Sequence, residues 1–182
     1  MTVVTVLPQS RPLTRADLDE MPDDGHRYEL IDGTLIVTPA PRHMHQRAVF
    51  ELGRLLGDAC PSDLEVLPAP FDVALGSETV LQPDLLVARR IDLTERDLPT
   101  APLLAVEILS PSTRLVDLNL KKARYEQAGC PSYWIVDPDA PEIVVWELRD
   151  GRYIEATRAI GNESCTVTVP FALTVVPIDL VR

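Results

Sequence analysis

Long apolar runs are missing from this sequence of 182 residues, and cysteine and histidine are scarce. No stretch of about 18 consecutive apolar residues occurs, so the sequence predicts no membrane-spanning helix. The three cysteines (Cys60, Cys130 and Cys165) form no Cys-x-x-Cys pair, which is typical of reduced thiols rather than a disulfide framework. The three histidines form no His-x-x-x-His pair, so we do not expect a zinc enzyme. Segment 1–8 lacks a basic region and a long apolar core, and we therefore expect a cytoplasmic location.

Positive charge is also in short supply, with 17 Lys and Arg against 28 Asp and Glu and a net charge of −11. Proteins that bind nucleic acid by charge alone are usually basic, so this balance argues against a generally DNA-attracting surface. One local basic cluster exists between residues 114 and 124, where Asp117 is the single acidic residue. We expect Arg114, Lys122 and Arg124 of this cluster to bind substrate.

The length and a hydrophobic content of 46% suit a single domain over residues 1–182, with residues 1–12 as a loosely ordered extension. The sequence predicts helices over 12–20, 43–59 and about 110–128, the last ending at Gly129. A hairpin is expected around Asp32-Gly33. This order indicates an α/β domain with a mixed central β-sheet flanked by helices. The other expected strands are 64–75 (one or two), 84–88, 102–109, 132–136, 142–148, 152–156, 166–169 and 173–176.

Two of these apolar strands carry a carboxylate, which is costly to bury unless it is paired or binds a metal. Glu107 lies in the middle of one strand, on the face shared by Ala105 and Leu109, and Asp84 begins another. Because neighbouring strands lie about 4.8 Å apart, the two carboxylates could hold one divalent ion. Oxygen ligands favour Mg²⁺, with Mn²⁺ as an alternative. The simpler interpretation is that each carboxylate is half-exposed or forms a salt bridge.

A lysine follows on the last predicted helix. On a helical wheel Lys121 shares a stripe with Leu118, Tyr125 and Ala128, so it should face the sheet. There it could stabilise the charge of a phosphoryl transition state or orient an attacking water. Lys122 lies about 100° further round the helix, towards the edge of the stripe.

Five motifs together resemble a known family. They are Tyr28-Glu-Leu-Ile-Asp-Gly, Gln82-Pro-Asp84, Val106-Glu-Ile-Leu-Ser-Pro-Ser-Thr113, Asp117-x-x-x-Lys121-x-x-x-Tyr125 and Tyr133-Trp-Ile-Val-Asp-Pro138. In this order, from about Leu13 to Tyr153, they resemble the Uma-type putative restriction endonucleases of the PD-(D/E)XK nuclease superfamily.

The resemblance implies a restriction-endonuclease-like fold and Mg²⁺-dependent hydrolysis of phosphodiester bonds in DNA. It implies Asp84 and Glu107 as metal carboxylates, the carbonyl of Ile108 as a further ligand, and Glu29 as a third catalytic carboxylate. Glu29 could instead simply pair with Arg27 or Lys121. The superfamily lysine normally follows the glutamate by two residues, where this chain has Leu109; in the resembling family the lysine comes from the helix, which is Lys121 here.

The sequence therefore favours an endodeoxyribonuclease, expected as a homodimer because two sites ease the cutting of two strands. Two alternatives stay open. One is a catalytically inactive binding or assembly module that keeps the nuclease fold, which the acidic balance favours. The other is a hydrolase of small phosphate esters, which needs no long basic groove.

Overall fold

The structure, a computed structural model, describes residues 11–182. The predicted N-terminal extension thus falls mostly outside the described residues. Its last two residues contact the rest of the chain, since Arg11 pairs with Asp17 at 2.7 Å and Pro12 packs closely on Gly33. Within residues 11–182, no helix is long and apolar enough to cross a membrane.

The main sheet has six strands in the order β11-β10-β9-β8-β6-β3. β8 and β9 are parallel and every other neighbouring pair is antiparallel, so the sheet is mixed, as expected. β8 and β9 are buried along their whole length, which explains why they read as nearly continuous apolar runs. The strands are β3 (Leu64–Pro68), β6 (Leu85–Arg89), β8 (Leu104–Ile108), β9 (Ser132–Asp137), β10 (Glu142–Arg149) and β11 (Arg152–Ile160).

A second sheet of five strands has the order β2-β1-β5-β4-β7. The predicted hairpin forms its edge: Asp32 (φ 51°) and Gly33 (φ 73°) adopt the left-handed conformations that a tight turn between β1 and β2 requires. The sequence did not predict β5 and β7, whose few residues carry too little pattern. The strands are β1 (Arg27–Ile31), β2 (Thr34–Thr38), β4 (Asp72–Gly76), β5 (Thr79–Leu81) and β7 (Asp97–Leu98); β12 (Cys165–Val167) and β13 (Leu173–Val175) form a separate pair.

The main sheet separates two apolar layers. On one face α2 (His43–Ala59) packs with Leu52 and Leu56 against the cluster that contains Val106 and Trp134. On the other face lies a second cluster, which joins the main sheet to the five-stranded sheet and to α3 (Lys122–Ala128) through Tyr125. A further short helix, α1, spans Arg15–Leu18.

The helix predicted from about residue 110 to 128 is regular only in its second half. Residues Val116–Lys121 form a wider π-helical turn that continues directly into α3, and Gly129 ends the helix at φ 82° as expected. The buried stripe is Asp117, Lys121 and Tyr125, whereas Ala128, expected on that stripe, is exposed.

Candidate active site

The structure brings Asp84 and Glu107 to adjacent strands. β6 and β8 are antiparallel neighbours with Leu85 opposite Val106, and one further step places Asp84 opposite Glu107. The backbone N–H of Ile108 donates a hydrogen bond of 2.8 Å to Asp84 Oδ2, which ties the two strand ends together. Asp84 and Glu107 are 3% and 1% exposed. The sequence-based interpretation of adjacent buried carboxylates thus matches the geometry.

Lys121 lies at the centre of three carboxylates. Its Nζ is 2.8 Å from Glu29 Oε1, 3.2 Å from Glu107 Oε1 and 3.6 Å from Asp117 Oδ1. These four side chains are each at most 2% exposed, and we call them the lysine cluster. Glu29 Oε1 also accepts a 2.7 Å hydrogen bond from the backbone N–H of Gln82, which joins β1 to the segment that carries Asp84.

Asp84 is held by two further side chains. Arg27 from β1 donates a hydrogen bond of 2.9 Å to Asp84 Oδ1, and His45 Nε2 from α2 lies 3.1 Å from Oδ2. Burial alone would raise the pKa of Asp84, but the hydrogen bond from His45 and the charge of Arg27 outweigh it and lower the pKa to about 2. Asp84 is therefore a carboxylate at neutral pH.

Negative charge exceeds positive charge at this place. Four buried carboxylates (Glu29, Asp84, Glu107 and Asp117) face two permanent cations, Arg27 and Lys121. Burial raises the pKa of Glu107 well above its usual value, and the neighbouring carboxylates add to this effect. Burial likewise raises the pKa of Asp117, and the charges of Asp84 and Glu29 add to this effect. The lysine cluster is thus short of positive charge.

The oxygen donors of this site fit a hard divalent cation, although they are not arranged as a ready-made metal site. Glu29 Oε2 and Asp117 Oδ1 are buried and accept no hydrogen bond from the described residues. Such carboxylate oxygens without a hydrogen bond, together with the missing positive charge, suit the all-oxygen ligation that Mg²⁺ and Mn²⁺ prefer. Within residues 11–182 no three His, Cys, Asp or Glu side chains converge closely enough to form a ready-made metal site, because Lys121 stands between the acids.

A cleft of about 920 Å³ opens beside this site, between the α1–β1 segment, the start of α2 and the loop of residues 110–113. Asp84, Arg27 and His45 line the cleft, whereas Glu29, Glu107 and Lys121 are buried and do not. Asp84 is therefore the carboxylate of the set that a ligand in the cleft meets first.

The three residues predicted to bind substrate lie elsewhere, and none of them lines the cleft. Arg114 donates a hydrogen bond of 2.6 Å to Asp137, and Arg124 donates one of 3.0 Å to Asp32. Lys122 Nζ stands 4.0 Å from the ring centre of Trp146 on β10. Their charges are thus partly satisfied within the protein.

The sequence interpretation missed three contributors. Arg27 directly precedes the motif that begins at Tyr28, and Asp117 is the first residue of its own motif, but no role in the site was predicted for either side chain from the sequence. His45 carried a detectable signal, since it falls on the buried face of α2 with Ala48, Leu52 and Leu56. Its partner Asp84 comes from a segment 39 residues away in sequence, which no local pattern can reveal.

The fold and the acidic site define a restriction-endonuclease-like α/β protein, which confirms the predicted fold. The profile of the Uma2 family, described as "Putative restriction endonuclease", matches residues 15–176, and the chain belongs to that family. The fold is similar to that of a putative nuclease belonging to DUF820 from Anabaena variabilis ATCC 29413, known from a crystal structure. The two share 21% identity and a TM-score of 0.75 over 93% of this chain and 97% of the other. No curated protein matches the sequence.

Proposed function

We propose that the protein is a Mg²⁺- or Mn²⁺-dependent endonuclease that hydrolyses phosphodiester bonds in DNA. The observation that carries the proposal is the lysine cluster next to Asp84, where buried carboxylates outnumber the cations that face them. Burying uncompensated carboxylates is costly, so a protein that keeps them gains something other than stability. Membership in a family of this description supports the same chemistry.

In this proposal Asp84, Glu107 and the carbonyl of Ile108 hold the ion, and Glu29 completes the acidic set. A bound divalent ion would supply Lewis-acid stabilisation of the phosphate and a more acidic water. Lys121 stabilises negative charge that develops on the phosphate, or orients the attacking water. Arg27 and His45 keep Asp84 ionised and fix the direction of its oxygens through their hydrogen bonds.

The decisive experiment is plasmid nicking by the purified protein. We expect conversion of supercoiled DNA to open circles with Mg²⁺ or Mn²⁺, no conversion with EDTA, and loss of conversion in Glu107→Ala. Glu65→Ala is a matched control, because Glu65 is a strand glutamate paired with Arg90 away from the cleft. Absence of cleavage of both the plasmid and single-stranded DNA by the wild-type protein with both ions would refute the proposal.

The proposal also includes a homodimer, since cutting both strands of a duplex is easiest with two sites. Light scattering at micromolar concentration tests it, and a monomer would contradict it. The expected cytoplasmic location is part of the same proposal.

One observation favours the alternative of an inactive binding or assembly module. Lys121 already neutralises part of the acidic set, and the described residues offer no preassembled group of three metal ligands. A lysine that merely replaces a lost ion would produce this arrangement. Binding of Mg²⁺ distinguishes the two functions, because a module stabilised by Lys121 alone should show no thermal shift with the ion.

A further inference from the structure

We infer that the cleft receives an unpaired nucleotide of a DNA strand, so that the preferred substrate is single-stranded or locally unpaired DNA rather than intact duplex. The inference rests on the proposed function, because it names the substrate of that same site. It starts from the shape of the cleft. A volume of about 920 Å³ falls within the range of about 300–1,000 Å³ of sites that enclose small molecules, and duplex DNA does not enter such a cavity.

The wall of the cleft offers surfaces for a base. Tyr28 and His26 lie side by side at its edge with ring centres 6.3 Å apart. Aromatic rings of this kind stack on unpaired bases whatever their sequence. Part of the wall is apolar and is formed by Leu18, Met21, Pro22, Pro39, Pro41 and Val49.

Three buried polar atoms have no partner among the described residues, and each belongs to a side chain that lines this cleft. They are Thr38 Oγ1, His45 Nδ1 and Gln82 Oε1. Thr38 and His45 are 8% and 7% exposed. Buried polar groups are nearly always hydrogen-bonded, so three such atoms at one cavity indicate a polar ligand. The edge of a base or a sugar provides donors and acceptors of this kind.

The charges along the cleft suit one phosphate better than many. Three of its four aspartates are already paired with arginines: Asp19 and Asp72 with Arg15, and Asp84 with Arg27. Arg42 lines the cleft at the start of α2 and forms no ion pair with the described residues, so it is free to bind a phosphate.

The charge of the whole chain points the same way. A duplex carries one phosphate per about 1.7 Å along its axis, twice the density of a single strand. A protein of net charge −11 therefore repels a duplex more strongly than a single strand. The Thr38, His45 and Gln82 atoms can meet a base edge only when the base is unpaired. Paired substrate would first have to be opened, which costs a few kcal/mol.

The test compares three fluorescent DNAs that share one labelled strand: the strand alone, its blunt duplex, and a duplex with a central unpaired loop. With Mg²⁺ we expect the single strand and the looped duplex to be cleaved on the order of 10²-fold faster than the blunt duplex. Cleavage of the blunt duplex at an equal or greater rate would overturn the inference and leave the nuclease proposal standing.

Fluorescence anisotropy with Ca²⁺ replacing Mg²⁺ measures the binding of DNA without cleavage. It therefore tests the inference even if no DNA is cleaved and the proposed function fails. We expect Thr38→Val to raise the Kd for the single strand about fivefold, which is the factor expected for the loss of one hydrogen bond. This change should not weaken folding, because Thr38 Oγ1 has no protein partner to lose. Arg42→Ala should raise the Kd about tenfold and reduce its salt dependence by about one charge.

The matched control is Arg54→Ala, which removes an arginine from the same helix outside the cleft, where it pairs with Glu51 and Asp58. It should leave the Kd unchanged. Equal affinity for single strand and blunt duplex, or Kd values for Thr38→Val and Arg42→Ala that match Arg54→Ala, would overturn the inference.

Discussion

Lys121 offers the sharpest test of the site, because its removal should damage stability and activity for the same electrostatic reason. Lys121→Met keeps much of the side-chain volume and removes the charge. Lys121 is 1% exposed and its Nζ lies 2.8 Å from Glu29 and 3.2 Å from Glu107. Removing one partner of a buried ion pair costs about 3–5 kcal/mol.

For a chain of this length, each kcal/mol lost from the free energy of unfolding lowers the Tm by about 2–4 °C, so Lys121→Met should lower the Tm by roughly 6–20 °C. Lys122→Ala is the matched control. Lys122 stands 4.0 Å from the ring centre of Trp146 and is half-exposed, a contact of about 0.5–1 kcal/mol, which corresponds to about 1–4 °C. Calorimetry in EDTA measures both variants without any contribution from metal.

Activity is then compared at a temperature where both variants are folded, with a loss on the order of 10²-fold expected for Lys121→Met alone. Adding Glu29→Gln to Lys121→Met should restore part of the lost stability, because it removes one of the carboxylates left without a partner. Unchanged Tm in Lys121→Met, or a double variant less stable than the single one, would refute the electrostatic reasoning.

The remaining predictions concern the acids and the ion. Mg²⁺ at about 100 times its Kd should stabilise the wild type by about 2.7 kcal/mol and therefore raise its Tm by roughly 5–11 °C. The Tm of Glu107→Gln should not rise on addition of Mg²⁺. An equal shift of Tm in both proteins would exclude Glu107 as a ligand. In EDTA at pH 7, Glu107→Gln should itself raise the free energy of unfolding in urea titrations, because burial raises the pKa of Glu107 and its ionised form destabilises the folded state; a less stable variant would contradict this. The effect of Asp84 on stability has the opposite sign, because its pKa falls from 3.8 in the unfolded state to about 2 in the folded state. Ionised Asp84 therefore stabilises the folded state fully above about pH 4, and this stabilisation is lost as the pH falls towards 2. The difference in Tm between wild type and Asp84→Asn should therefore shrink over that range, and a constant difference would refute it.

The sequence predicted the parts of the fold that follow local rules. α2 was expected over the same residues that it occupies, since its apolar residues recur regularly, and the Asp32-Gly33 turn fixed the β1–β2 hairpin. The carboxylates of Asp84 and Glu107 stood out because charge in an apolar strand needs a reason. Each of these signals is contained in a short stretch of the sequence.

What escaped prediction depends on contacts between distant segments. The helical wheel for Lys121 assumed a regular helix, whereas Val116–Lys121 form a π-helical turn, Asp117 is buried, and Ala128, expected on the buried stripe, is exposed. Lys121 still faces the sheet because the spacing of four residues to Tyr125 spans the regular helix. The pairing of the basic cluster was equally hidden from the sequence, because Arg114 and Arg124 are close in sequence but pair with acids on different elements.

The charge balance of the site also bears on how many ions it holds. Four carboxylates against Arg27 and Lys121 leave a net charge of −2 when all are ionised, since 4 − 2 = 2. One divalent ion neutralises this excess, whereas two would leave an equal excess of positive charge in a buried place before the substrate arrives. Lys121 occupies the position between Glu29 and Glu107 where a second ion would otherwise find its ligands. If the proposed nuclease function holds, the arrangement would therefore favour one ion and one lysine acting on the phosphate, rather than two ions.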